Sequence, residues 1–291
     1  MKGNQGPNYK QLLSRNFNLS AQDYESCAVL QRTVAEQLAD RLALMNVKPR
    51  VALDLGSGTG FGARLLENRY KRCAILQTDL ALNMLKTARQ TSPRFFSPQR
   101  FLCADAENLP LRGKYFDLVF SSLMLQWCSN PESAFREVWR VMKPSSLFLF
   151  ATLGPDTLKE LRDCWKAVDT LSHVNEFADM HEVGDLLVHC GFEAPVMEME
   201  YFTLNYADVF SLMRDLKRLG AVNINMGRRL SLTGKGRMRQ LVQEYERWRN
   251  AGRLPATYEV IFGHAWKPAE GKGHDLVKKP PFPVPVRAIH N

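Results

Sequence analysis

Val51-Ala-Leu-Asp-Leu-Gly-Ser-Gly-Thr-Gly-Phe-Gly-Ala63 joins a short apolar run to an acidic, glycine-rich turn. Val51 to Leu55 reads as a buried parallel strand, with Asp54 at its carboxyl end. Gly56, Gly58 and Gly60 let the backbone turn tightly and come close to a ligand. A helix is expected from about Phe61. In a doubly wound sheet, ligands bind at this place, beyond the carboxyl ends of the strands. Gly58, Gly60 and Ala63 also satisfy the G-x-G-x-x-A dinucleotide spacing, so the turn alone leaves two readings.

The neighbouring acids separate them. Asp54 would repel a pyrophosphate but suits the ammonium of an amino-acid moiety. The second strand, Cys73-Ala-Ile-Leu-Gln-Thr-Asp79, ends in an acid that can take two ribose hydroxyls. The third, around Phe101-Leu-Cys-Ala-Asp105-Ala106, offers Asp105 to an adenine amino group. Three acids at successive strand ends behind a glycine turn resemble the S-adenosylmethionine site of the class I methyltransferases. The resemblance implies a Rossmann-like α/β fold with a seven-stranded, mostly parallel sheet and helices on both faces. It also implies S-adenosylmethionine as cofactor, with S-adenosylhomocysteine as product. Asp54, Gly56, Gly58 and Gly60 would hold the methionine moiety, Asp79 (with Leu80 beside it) the ribose, and Asp105 with Ala106 the adenine. No metal is expected.

Working outward, strands are expected near 51–55, 74–79, 99–103, 116–121 and 146–152, with helices near 61–69, 81–90 and 132–142. This alternation signals right-handed βαβ units. Pro131-Glu132 suits a helix start and Lys143-Pro144 a helix end. Helices are expected at about 157–171 and 180–189, the second stopping at Gly191. Two further strands fall near 196–204 and 257–266, forming the final antiparallel hairpin of such sheets. Residues 8–46 read as helical, with Val29, Leu30, Val34, Leu38 and Leu42 on one apolar face that can pack on the sheet or lie over its mouth as a lid. The methyltransferase domain is thus expected over 8–268. Its 205–255 segment forms a basic helical insertion, with helices at 207–220 and 234–251. The tail, 269–291, is expected to be disordered because prolines cluster there without an apolar period.

The chain has 291 residues, a formal net charge of +9 and six cysteines. No apolar stretch reaches the length of a membrane span, and the amino terminus lacks a signal-peptide core. A cytoplasmic protein without membrane attachment is expected. The cysteines form no C-x-x-C pair, Cys73 and Cys103 fall inside expected core strands, and all read as buried thiols in a reducing compartment. Charge is segregated. Residues 155–210 hold three basic and twelve acidic residues, whereas 211–253 hold eleven basic and three acidic. Such a local excess looks like a docking surface for an acidic partner, against the plainer reading of a solvated helical face. Nucleic acid is disfavoured as that partner. Ser121-Ser-Leu-Met-Leu-Gln126-Trp127-Cys128 carries no Asn/Asp-Pro-Pro-aromatic motif, and the insertion has few aromatics for a single-strand groove.

Several motifs are more specific than the glycine turn. They are Phe17-x-x-x-Ala21-x-x-Tyr24 with Gln31, Leu125-Gln126-Trp127-Cys128, Phe150-x-Thr152-Leu153-Gly154, and Leu216-Lys217-x-x-Gly220-Ala221 with Gly227-Arg228. Pro255-x-Thr257-Tyr258-Glu259-x-x-x-Gly263-x-Ala265-Trp266 completes the series. Over about residues 10–268 the chain resembles the malonyl-acyl carrier protein O-methyltransferases of biotin synthesis. The resemblance implies methylation of the free carboxylate of a malonyl thioester, preferably on acidic acyl carrier protein bearing malonyl-phosphopantetheine. The methyl ester would then enter fatty-acid elongation. Tyr24, Gln126 and Trp127 would stand at the reacting centre. Lys217, Arg218, Arg228 and Arg229 would meet the carrier protein, and Tyr258 would orient the acceptor. His181 is a further candidate, set against a plain surface histidine. Two other readings share the core: a methyltransferase of small molecules such as a quinone precursor or free acid, and a non-catalytic assembly factor.

Overall fold

Seven strands line up in the order β3-β2-β1-β4-β5-β7-β6 in the computed structural model, which describes residues 8–92, 99–224 and 233–271. β1 (Val51–Leu55), β2 (Ala74–Asp79), β3 (Gln99–Cys103), β4 (Phe116–Ser122) and β5 (Met142–Leu153) run parallel. β7 (Leu254–Trp266) is antiparallel to β5 and to the edge strand β6 (Glu193–Tyr206). The central strands are apolar on both sides because helices cover both faces. The chain leaves β1 towards β2 on one side and returns to β4 on the other. This reversal opens a crevice beyond Leu55.

Helices α1 (Tyr9–Ser20), α2 (Tyr24–Cys27) and α3 (Val29–Arg41) precede the sheet. The continuous helical pattern of the sequence is broken at 21–23 and at Ala28, which lets α1 and α2 lie over the crevice while α3 packs on the sheet. One face of the sheet is covered by α3, α4 (Phe61–Arg69) and α7 (Lys159–Lys166), the other by α6 (Pro131–Val141) and α8 (Met180–His189). α5 (Leu82–Thr91) follows β2. Capping follows the sequence signals. Asn130 accepts the Ser133 N–H ahead of Pro131, and Asp179 accepts that of Glu182.

Two boundaries differ from expectation for physical reasons. α7 begins after Leu158, whose φ of 55° breaks the helical path, and ends at Lys166. Residues 167–179 then leave the helix and turn back over the crevice. β5 begins at Met142, four residues early, and pairs with β4 across a register shift between Phe116 and Leu118. The proline of Lys143-Pro144 therefore sits inside an irregular strand entry.

Between β6 and β7 the chain forms α9 (Val209–Arg218) and α10 (Lys235–Glu246). Both are shorter than the sequence pattern suggests. Tyr245 fastens α10 to the sheet: it is fully buried, and its hydroxyl donates to the Pro255 carbonyl at 2.9 Å. The Tyr245→Phe variant should lose about 0.5–1.5 kcal/mol, the usual net worth of one hydrogen bond. Leu241→Ala, on the same buried face, should lose about 2–5 kcal/mol. An unchanged urea midpoint for Tyr245→Phe would show that the hydroxyl does not fasten the insertion.

Candidate functional site

The three glycines of the turn answer to three different constraints. Gly56 has φ +74°, and a Cβ there would lie 2.1 Å from Met124 Cγ. Gly60 has φ +83°, and a Cβ would lie 2.7 Å from Gln77 Oε1. Gly58 has φ +53° with nothing within 4 Å of where its Cβ would be. Gly56 and Gly58 line the crevice, while Gly60 does not. Gly60 packs the turn against β2 and α5. The N–H groups of Gly56 and Ser57 both donate to the Thr78 carbonyl, at 2.8 and 2.9 Å.

Asp79 lies on the rim of the crevice. Its Oδ2 accepts the Gly58 N–H at 2.9 Å and its Oδ1 the Ala81 N–H at 2.8 Å. Burial pushes its carboxyl above the usual range, against the N–H groups of Ala81, Gly58 and Leu80. Each oxygen keeps acceptor capacity for a hydroxyl pair. Leu80 and Ala106 line the same end. Asp105 is there too, but it already has a partner that the sequence did not announce. Lys10 Nζ sits 2.6 Å from Asp105 Oδ2 and 2.8 Å from Glu107 Oε2. Burial would lower the Lys10 ammonium, but the two carboxylates outweigh it and hold it above its usual value.

Asp54 requires a correction. It is 2% exposed and does not line the crevice. It lies behind the turn, with Oδ2 buried and without a hydrogen-bond partner. The backbone at Gly62 passes so near that a Cβ there would be 3.1 Å from that oxygen. Alternation along β1 explains the placement: Leu55 faces the crevice, so its neighbour Asp54 points away.

The crevice continues from the acids into a larger chamber, about 1500 Å³ in all with its open mouth. Tyr24, Gln126, Trp127 and Tyr258 all line it. Burial raises the Tyr24 phenol, and Asp79 nearby adds to the effect. Tyr258 is likewise raised by burial and by neighbouring Tyr206. Trp127 meets Phe17 edge to face at 5.4 Å. The Gln126 amide is largely spent on structure, donating to the Leu123 carbonyl at 2.7 Å and accepting from Thr152 Oγ1 at 3.3 Å. Leu123 and Leu158 both line the chamber and both hold left-handed backbone, φ 52° and 55°. Such strain gathers where a structure must present side chains to a ligand.

From the insertion, Leu216 of α9 and the following Leu219, Ala221 and Asn223 close the far wall. Lys217 and Arg218 are on the same helix but do not line the chamber, and Arg218 donates to Ser26 Oγ at 2.8 Å. Arg228 and Arg229 lie outside the described residues, as does the tail beyond Gly271. The His181 side chain is 87% exposed and apart from the chamber, so it cannot orient an acceptor there. Sequence reasoning missed Lys10, Glu107, His173 and Asn175, which all line the chamber. Lys10 could have been found from its place one turn before Leu13 and Ser14 on the predicted helix. His173 and Asn175 lie in the segment that leaves α7 and carry no motif.

Residues 53–150 match the family model described as a methyltransferase domain. The YcgJ protein from Bacillus subtilis has the same fold, with a TM-score of 0.59 at 17% identity over 80% of this chain and 98% of that one. A Haemonchus contortus phosphoethanolamine N-methyltransferase 2, solved with S-adenosylhomocysteine, gives 0.57 at 18% identity over 89% and 60%. Fold and site together define an S-adenosylmethionine-dependent methyltransferase of class I. Two curated relatives, both called malonyl-[acyl-carrier protein] O-methyltransferase, are much closer in sequence. That of Gallionella capsiferriformans is 46% identical over 91% of this chain and 93% of its own. That of a Methylovorus species is 46% identical over 89% of each. The chain belongs to the malonyl-[acyl-carrier protein] O-methyltransferase family.

Burial, with the nearby Asp79 charge adding to it, pushes the Asp54 carboxyl up to about 7, although the Ala63 N–H and Arg64 oppose the shift. The folded protein therefore holds a proton between the ordinary carboxylate range and about pH 7 that the unfolded chain releases, and stability falls as pH rises through that window. Asp54→Asn, which keeps an acceptor for the Ala63 N–H, should be more stable than the parent at pH 8, with the advantage shrinking towards pH 5. Thermal melts at the two pH values test this, and an equal difference at both would refute it.

Proposed function

We propose that this protein transfers a methyl group to the free carboxylate of a malonyl thioester carried on acyl carrier protein, giving the methyl ester. The observation that carries the reading is the continuity of the crevice. A rim of acids and bare backbone suited to a sulfonium nucleoside opens into a mostly apolar chamber, closed by the insertion between β6 and β7. The fit to the nucleoside rests on Asp79, which offers acceptor capacity on both oxygens, and on Gly58, where a missing side chain leaves room for ligand.

The residue roles follow from position. Asp79 would take the ribose hydroxyls, Asp105 and Ala106 the adenine, and Gly56 and Gly58 the methionine moiety. Lys10 would share Asp105 with the adenine and draw α1 across it. Asp54 would act at one remove, through its field behind the turn. The bound cofactor supplies a methyl group already activated on a sulfonium centre. Tyr24 and Trp127 would shape the place of transfer, and Gln126 would hold the loop that carries Trp127. A malonyl carboxylate is ionised at neutral pH, so the protein need remove no proton and contributes alignment and exclusion of water. Lys217 and Arg218, with Arg228 and Arg229, would meet the acidic carrier protein. The protein would work in the cytoplasm.

Incubation with labelled cofactor and malonyl carrier protein should add one methyl group to the acyl chain, and the rate should fall as salt screens the carrier contact. Asp79→Ala should raise the KM for cofactor at least about tenfold while leaving that for carrier substrate nearly unchanged. Absence of transfer to the malonyl carrier, with transfer to a quinol or free acid, would replace this reading by the small-molecule one.

A further inference from the structure

The chamber holds a polar device that these roles leave unused. His173, in the segment between α7 and α8, lies flat on Trp165, with ring centroids 3.7 Å apart and planes 5° apart. Its Nε2 is 2.8 Å from Asp169 Oδ1, and the two side chains are only 11% and 13% exposed. Burial would raise the Asp169 carboxyl. The Leu171 N–H and His173 outweigh that, with Arg237 of α10 adding to them, and hold it below the usual range. Asp169 is thus an ionised partner that fixes the proton on Nε2. Nδ1 is then the ring nitrogen with no hydrogen bond among the described residues, and His173 lines the chamber. Asn223 braces the segment by donating to the Ser172 carbonyl.

A charge count over the chamber gives this device its meaning. Among the described lining residues, two side chains can carry positive charge, Lys10 and His173. Lys10 is committed to Asp105 and Glu107 at the adenine end. An ionised carboxylate entering an apolar chamber is costly to desolvate without a counter-charge. His173 is the group placed to supply it.

We propose that His173, oriented by Asp169 and supported on Trp165, binds the acceptor carboxylate in its imidazolium form and makes the chamber prefer the charged substrate to its neutral methyl ester. This rests on the methyltransferase reading above and assigns the residue that reads the acceptor's charge. A single-point contact leaves the second carboxylate oxygen free to react, which a bidentate arginine would not. Once the ester has formed, it has no charge for His173 to hold, and product retention weakens.

The test is binding without turnover. Malonyl-pantetheine and its methyl ester are titrated calorimetrically into the full chain loaded with S-adenosylhomocysteine. The parent protein should prefer the malonyl form. His173→Phe should weaken malonyl-pantetheine about tenfold or more while changing the ester by no more than about twofold, in the range of one charged hydrogen bond. Asp169→Asn should shift the same ratio in the same direction, and His173→Lys should recover part of it. No preference in the parent overturns the proposal, and so does equal weakening of both ligands in His173→Phe. Should His173→Phe fail to fold, Asp169→Asn decides on the same ratio, because it keeps the ring and its support. Methyl transfer by the parent to malonyl carrier protein, assayed separately, tells failure of this inference from failure of the functional reading.

Discussion

The carboxylate of Asp79 ties the end of β2 to the glycine turn after β1, and that end of the crevice depends on the tie. One oxygen holds the Gly58 N–H and the other the Ala81 N–H, while the carbonyl of Thr78 takes the N–H groups of Gly56 and Ser57. Two adjacent strand ends thereby become one rigid rim. Glycine is required because this path needs left-handed backbone, and because Met124 and Gln77 occupy the space that Cβ atoms at 56 and 60 would fill. Burial raises both Asp79 on the rim and Asp54 behind it, and the two carboxyls lie close enough for the charge of Asp79 to add to the shift of Asp54. A ligand that brings positive charge to the rim lowers that cost, and so stabilises the folded state on binding.

The part of this arrangement legible in the sequence is the part written locally. β1 and β2 fall on the residues their apolar runs mark, because a parallel strand inside the sheet is covered on both faces; β3 falls where expected but lies at the sheet edge, with Cys103 exposed. The order of glycines and acids was equally readable. Which acid lines the crevice was not. Asp54 and Asp79 both stand at strand ends, but one strand carries its acid to the rim and the other turns it inward, and that phase is set by pairing between strands. Nor could the shared use of Asp105 by Lys10 be read, since those residues are 95 positions apart and meet only when α1 folds over the sheet. His173 was missed because nothing in its neighbours distinguishes it until Trp165 and Asp169 are brought under and beside it.

Strain marks the boundary between the general fold and its specific chamber. Leu123 follows β4 and Leu158 precedes α7, and both adopt a backbone that leucine avoids. The surrounding sheet over-determines them. The Leu123 N–H is held by the Ala151 carbonyl and the Leu158 N–H by that of Thr257. These contacts fix the two apolar side chains on the chamber wall. They also shorten α7, and the following segment turns back over the crevice, where Ser172 meets Asn223 of the insertion. The chamber is therefore a joint product of the sheet and the insertion, whereas the acidic rim belongs to the sheet and α1.

The chemistry open to that chamber is narrowed by its phenols. Burial holds Tyr24 and Tyr258 protonated, so at neutral pH each can donate a hydrogen bond and neither can take a proton from an acceptor. His173 has two mutually exclusive uses. It can remove a proton from a neutral acceptor, or it can carry one and face an anion. Asp169 stands 2.8 Å from one ring nitrogen, and the apolar walls penalise an anion that arrives without a counter-charge. A carboxylate satisfies both conditions at once, since it needs no base and supplies the negative charge. Methylation then removes the feature by which the acceptor was held, and the step that completes the reaction also loosens its product.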